Sequence, residues 1–315
     1  MSGRDLAVLL EGQIPPERVQ RNASLAPFTT FKVGGPADWL VLAQRADDVK
    51  AALAAARAMG LPVTVLGGGS NVLVSDAGVP GLVIRVHGGD VRSVGEGTVR
   101  ADGGLTINGL VRWTINRGVA GLEAWAGTPG TVGGAIYGNA HFKGRLIAEL
   151  VESVEVVGTS GATGHEIRMA AADMEFGYDR SRLQRTRELL LSADFRVGRG
   201  EPAALRAVAR ESLAYRKQTQ PLESASAGCI FQNPDPAVDR IPGGIPASAG
   251  ALVDRAGLKG SREGAARVSP THGNFIVNEG GASAGDIRRL IERCREQVRA
   301  QFGVELRDEI VYLGF

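Results

Sequence analysis

Two stretches of the 315-residue chain concentrate glycine where chemistry on a phosphorylated ligand would need it. Gly67-Gly68-Gly69-Ser70-Asn71 follows the β-branched run Leu61 to Leu66. Ala126-Gly127-Thr128-Pro129-Gly130-Thr131-Val132-Gly133-Gly134-Ala135 lies about sixty residues further on. A backbone stripped of Cβ atoms brings several N–H groups against a diphosphate, and a loop after a strand is well placed to do so. One such loop would more often simply turn the chain; two this dense favour a diphosphate-bearing ligand. No G-x-G-x-x-G lies between a strand and a helix, and no G-x-x-x-x-G-K-[ST] occurs, so a Rossmann dehydrogenase and a P-loop kinase are poor fits.

Cys229 is the second chemical candidate. It sits in Ser226-Ala227-Gly228-Cys229-Ile230-Phe231-Gln232-Asn233-Pro234, a short strand-like run whose preceding glycine leaves room for a ligand beside the thiol. A thiol with an ordinary pKa of about 8.5 can give a proton to a strongly basic carbon, although a lone cysteine is more often a small buried hydrophobe. Cys294 falls on the apolar stripe of a helix and reads as core. Gly281-Ala282-Ser283-Ala284-Gly285 matches the nucleophile-elbow pattern G-x-S-x-G, but no histidine follows it, as the hydrolase order requires. Ser283 reads instead as a helix N-cap. The four histidines, His87, His141, His165 and His272, are scattered without metal-ligand spacing, and no metal site is expected.

These candidates need elements to hold them. Asp47-Asp48 opens an alanine-rich helix closed by Gly60, and Leu61–Leu66 is a strand ending in the first glycine loop. VLV (72–74) and LVIRV (82–86) are further strands. From Gly88 onward, β-like runs at 93–101, 151–158, 165–170 and 188–197 surround one helix at 105–118. GRGEP (198–202) reads as a linker before a helix at 203–217. Ser283 and Asp286 have capping-box spacing, and Ile287, Leu290, Ile291, Cys294 and Val298 form one helical stripe closed by Gly303. The last residues, 304–315, read as a closing strand.

Composition removes other classes. Hydrophobic residues at 43% and charged residues at 22% suit a folded, water-soluble chain. Forty-four glycines exceed the usual share of about 7% roughly twofold, without any collagen-like period. A formal charge of +2 argues against a large nucleic-acid footprint or membrane adhesion. The first residues lack a secretory cleavage pattern, and two cysteines make no disulfide framework. A cytoplasmic protein without an obligate protein partner is the expectation.

Seven segments in order then carry a family resemblance: TTFKVGGPAD (29–38), LGGGSNVLVSD (66–76), GLEAWAGTPGTVGGAIYGNA (121–140), FGYDRS (176–181), AGCIFQNP (227–234), HGNFIVNEGGASAGDI (272–287) and LRDEI (306–310). The chain resembles the UDP-N-acetylenolpyruvoylglucosamine reductases of peptidoglycan precursor synthesis over roughly Asn22 to Gly314. The resemblance implies an α+β chain: a two-subdomain FAD-binding fold of the vanillyl-alcohol-oxidase type plus a C-terminal α/β substrate domain. The divisions expected are 1–86 (with the strand 306–315), 87–203 and 204–305. It further implies NADPH as reductant, FAD as cofactor, and hydride transfer from flavin N5 to the vinyl carbon of UDP-N-acetylglucosamine enolpyruvate.

On that resemblance Gly67, Gly68, Gly69, Ser70 and Asn71 line the FAD diphosphate, with Thr128, Pro129, Gly130, Gly133 and Gly134 facing them. Cys229 stands where many members have a serine proton donor, and cysteine is the stronger acid. Glu309 matches the acid that helps polarise the intermediate, Lys217 a lysine near the UDP diphosphate, and Asn233 a substrate-contacting amide. The family's FGYRxS-type arginine is displaced: the chain reads Asp179-Arg180, so Arg180 is assigned the substrate carboxylate, since a second anion at Asp179 would repel it. In a regular strand that one-residue step would reverse the face; in a loop the guanidinium would still reach. The tyrosine-bearing lid insertion of the longer family form has no counterpart here. Another FAD-dependent alcohol oxidase or dehydrogenase of the same fold, or a non-catalytic flavin-binding module, is the competing reading.

Overall fold

The computed structural model describes residues 5–159 and 165–315; the N-terminal stretch considered above begins outside them, at 1–4. The chain forms two compact units. The first comprises 1–23, 37–68 and 80–214, and the second 24–36, 69–79 and 215–315. No helix among the described residues is long and apolar enough to cross a membrane.

In the first unit the alanine-rich helix runs Ala46–Met59 and stops at Gly60, whose φ of 65° only glycine adopts without strain. Its start is fixed by Asp48, whose carboxylate accepts from the N–H of Gln44 and of Arg45 and pairs with Arg18 at 2.8 Å. Val49, Leu53 and Ala56 bury its inner face with Val41, Leu82 and Ile84. These last come from a four-stranded sheet in the order Val19–Ser24, Pro36–Ala43, Val79–Val86, Val63–Leu66. Val63–Leu66 runs parallel to Leu82–Arg85, so the strand delivers its C-terminal end to the first glycine loop.

A second, five-stranded sheet is antiparallel throughout, in the order Glu166–Ala170, Val151–Gly158, Glu188–Arg196, Thr98–Asp102, Val91–Gly95. The helix Ile107–Asn116, capped by Thr106, and the short glycine helix Val132–Tyr137 share its core around Trp125, Leu110 and Phe195. The segment read as a linker is partly paired: Gly198–Arg199 forms a ladder with Val119–Ala120. The helix that follows, Pro202–Thr219, is longer than the sequence pattern indicated.

The second unit is built around the helix Ala284–Phe302. Ser283 caps it, accepting from the N–H of Asp286 at 2.9 Å, which is the use of this serine expected from sequence. Ile287, Leu290, Ile291 and Val298 are fully buried, worth about 1.5–3 kcal/mol each. The Asp76 carboxylate accepts from the first free N–H groups of that helix, Ala284 and Gly285, where an anion offsets the helix dipole. The closing strand is shorter than 304–315: only Val311–Leu313 pairs, parallel to Val72–Val74. Residues upstream of it are held by single contacts, Gln232 N to Arg307 O and Glu309 N to Ile230 O, because their partner is an irregular segment rather than a ladder.

Candidate active site

Within the first unit the two glycine-rich stretches touch. A Cβ on Gly68 would lie 2.6 Å from Gly130 Cα, and one on Gly67 would lie 2.6 Å from Thr131 Oγ1. Side chains at these positions would push the stretches apart, which accounts for the glycines at the contact. Their N–H groups are used differently. At the start of the glycine helix, Val132 N donates to Leu105 O, Gly133 N to Gly103 O and Gly134 N to Thr131 Oγ1, while Thr128 N donates to Trp125 O. Among the described residues, the N–H groups of Gly67, Gly68, Gly69, Ser70 and Asn71 donate to no protein acceptor. Undirected donors of this kind suit an anion such as a diphosphate, whereas Val132, Gly133 and Gly134 spend theirs within the protein.

Arg180 and Asp179 part company at a tight turn. Gly177 N donates to Arg180 O at 2.9 Å and Arg180 N to Gly177 O at 3.2 Å, with Asp179 at the left-handed corner, φ 50°. The strand-face objection to Arg180 therefore does not apply. Its guanidinium folds across Gly177, where a Cβ would sit 3.1 Å from Nη2. Asp179 turns inward instead, its Oδ1 3.0 Å from His141 Nδ1. The turn is fastened to the glycine helix: Ser181 Oγ donates to Tyr137 O, and Asn139 Nδ2 to Gly177 O. That helix of six residues spans about 9 Å, so Arg180 is carried a fixed short step from the second glycine stretch.

In the second unit the thiol and the acid share one framework. Cys229 bridges Phe275, Ile230 N donates to Asn274 O, and Glu309 N donates to Ile230 O at 2.8 Å. Asn71, the last residue of the first glycine loop, donates from Nδ2 to Glu309 O at 3.0 Å. Gly228, at φ 81°, has nothing within 4 Å of where a Cβ would stand, leaving space beside the half-buried Cys229. Cys294 lies in the core, and burial pushes its thiol up to about 12. Asn233 is exposed and accepts from Ala249 N, and Lys217 is exposed on the last turn of its helix.

Two residues escaped the sequence reading. Asn274 is buried and clamps Phe231 from both sides, accepting from its N–H at 2.9 Å and donating to its carbonyl at 2.7 Å. It lies inside the segment 272–287, but its partner is 43 residues away. Arg216 is 6% exposed beside Lys217; burial pulls its pKa down to about 10, and attraction to a Cys229 thiolate opposes that fall. The adjacent Arg-Lys pair near a helix end was the available signal, since two successive residues cannot share a face.

A model of the UDP-N-acetylenolpyruvoylglucosamine reductase C-terminal domain matches residues 220–313, and a model of an FAD-binding domain matches 37–166. UDP-N-acetylenolpyruvoylglucosamine reductase of Gloeobacter violaceus is 39% identical over 300 residues, covering 95% of this chain and 97% of that one. The chain belongs to the UDP-N-acetylenolpyruvoylglucosamine reductase family. The Bacillus velezensis member is 38% identical over 94% of both chains. A crystal structure of the reductase from Thermus caldophilus superimposes with a TM-score of 0.77 at 34% identity, over 94% of this chain and 99% of that one. The family assignment brings with it the α+β architecture with an FAD-binding domain, and an FAD-dependent oxidoreductase.

Proposed function

We propose that this chain reduces UDP-N-acetylglucosamine enolpyruvate to UDP-N-acetylmuramate in the cytoplasm, with NADPH as reductant. FAD, when bound, would supply hydride transfer from NADPH to the terminal vinyl carbon of the substrate. The free N–H groups of Gly67 to Asn71 hold the FAD diphosphate, and Thr128, Pro129, Gly130, Gly133 and Gly134 form the close-packed wall beside them. The carbon next to the substrate carboxylate gains an electron pair as hydride arrives. Arg180 binds that carboxylate by charge-assisted hydrogen bonds and stabilises the enolate. Cys229 delivers its thiol proton to the carbon, closing the balance of one hydride and one proton added across the double bond. Glu309 polarises the intermediate, while Lys217 and Asn233 hold the sugar nucleotide.

The observation that carries this reading is the hydrogen-bonded sequence Asn71, Glu309, Ile230, which ties the first glycine loop to the acid and to the residue beside the thiol. Residues 204–305 are assigned to the substrate on the same reading. The purified protein should be yellow, and anaerobic NADPH should bleach it. The enolpyruvyl sugar nucleotide should then restore the colour. A colourless protein that takes up no FAD, or a bleached one indifferent to that substrate, would refute the proposal.

A further inference from the structure

The turn that carries Arg180 contains a polar pair with no part in the chemistry above. The Asp179 side chain is 7% exposed, its Oδ1 lies 3.0 Å from His141 Nδ1, and its Oδ2 is buried without a hydrogen-bond partner among the described residues. A carboxylate buried with one oxygen unsatisfied is costly, and it persists only where its partner is well fixed. His141 is fixed. It opens a two-residue hairpin in which Leu146 faces it, and its ring packs against Tyr178 at a centroid distance of 5.0 Å. Two residues earlier, Asn139 is wholly buried and joins the same construction, donating to Gly177 O and accepting from Ala148 N.

The consequence concerns charge. Asp179 and Arg180 are neighbours in sequence, and a carboxylate released from the interior would have Arg180 as the nearest cation along the chain. Paired there, it would occupy the fork that a substrate carboxylate needs. The structure sends Asp179 to His141 instead, and the Arg180 guanidinium lies across Gly177.

We propose that His141 and Asp179 are positioning residues for Arg180: the imidazole sequesters the neighbouring carboxylate and pins the turn, so that the guanidinium stays open to an anionic ligand. This rests on the reading of Arg180 as the group that binds the substrate carboxylate. Nothing in the family motif would supply it, because the aspartate stands where the arginine is expected.

Three variants test it by steady-state and half-reaction kinetics on the FAD-loaded enzyme, with flavin content and the rate of bleaching by NADPH as the measure of folding. His141→Phe keeps the ring against Tyr178 and removes the N–H; KM for the enolpyruvyl substrate should rise about five- to tenfold. His141→Asn retains a donor near Nδ1 and should remain within about twofold of the parent. Adding Asp179→Asn to His141→Phe removes the competing charge and should bring KM back toward the parent value, a rescue that a purely structural role would not give. An unchanged KM in His141→Phe, or a rise shared by His141→Asn and not relieved by Asp179→Asn, overturns the inference. Arg180→Ala separates the two readings. If it leaves reoxidation by substrate intact, the role of Arg180 fails and this inference with it. If it cripples reoxidation while His141→Phe changes nothing, only this inference fails.

Discussion

Gly68→Ala isolates the contact between the two glycine stretches. The backbone at Gly68 is not in the left-handed region, so alanine there carries no conformational penalty, and the effect is steric. The new methyl would lie 2.6 Å from Gly130 Cα and 3.2 Å from its carbonyl carbon. Ordinary carbon–carbon contact is about 3.5–4.0 Å, so the stretches must separate by about 1 Å. Gly130 cannot yield by rotating a side chain, since the obstacle is main chain. Overpacking of this kind costs about 1–3 kcal/mol. If the displaced loop is the one that holds the FAD diphosphate, that cost appears as a weakening of FAD binding by about 5- to 150-fold. The assay is recovery of flavin fluorescence on dilution, giving Kd for each variant. Gly95→Ala is the control: it too lies outside the left-handed region, no atom comes within 4 Å of its Cβ, and it should match the parent. A Gly68→Ala protein that holds FAD as tightly as Gly95→Ala would refute the argument that these glycines exist to let the stretches meet beside the cofactor.

Two further outcomes follow from the second unit. Cys229→Ala should leave flavin reduction by NADPH within a few-fold of the parent while slowing reoxidation by substrate about 10²- to 10⁴-fold, the range for a lost general acid, in stopped-flow half-reactions; equal loss of both would make the thiol structural. His272 has its pKa lowered, mainly by burial and further by the Lys259 charge, and its Nδ1 accepts from Asn274 N at 3.2 Å. The folded protein therefore binds fewer protons there than the unfolded chain, so stability is present above the unfolded value of about 6.5 and is lost as pH falls below it. Thermal melts from pH 8 to 5 should show that loss, and His272→Asn, which keeps an acceptor without the titration, should flatten it; an equal slope in both proteins would exclude His272 as its source.

The sequence exposed those parts of the fold that are written in local periodicity. The helices Ala46–Met59 and Ala284–Phe302 carry their caps and apolar stripes within one continuous segment, and both begin and end within two residues of the expected bounds. The end of the chain was legible only in part. Residues 304–310 have strand-like composition, but their partner at 230–232 offers single hydrogen bonds instead of a ladder, and composition carries no record of which partner a segment meets. Asn274 was illegible for the same reason, since its two bonds reach back to Phe231. The position of Arg180 turned on whether residues 177–180 are strand or turn, and the left-handed φ of Asp179 decided it, a conformation that aspartate tolerates but does not announce.

The two glycine-rich stretches give the sharpest case, because in sequence they look equivalent. Both are dense in glycine, and both suggest a row of free N–H groups. The difference lies in what each stretch meets. Gly103 and Leu105 supply carbonyls to Gly133 and Val132, so the first turn of the glycine helix spends its donors inside the protein, and its glycines serve close approach. The loop from Gly67 to Asn71 meets no such carbonyl among the described residues. An anion should therefore be held mainly by the first stretch, with Val132, Gly133 and Gly134 serving as its wall. It follows that a side chain added at Gly134, which lies 3.6 Å from its nearest neighbour, should cost FAD affinity far less than one at Gly68, although the glycine pattern alone ranks the two positions together.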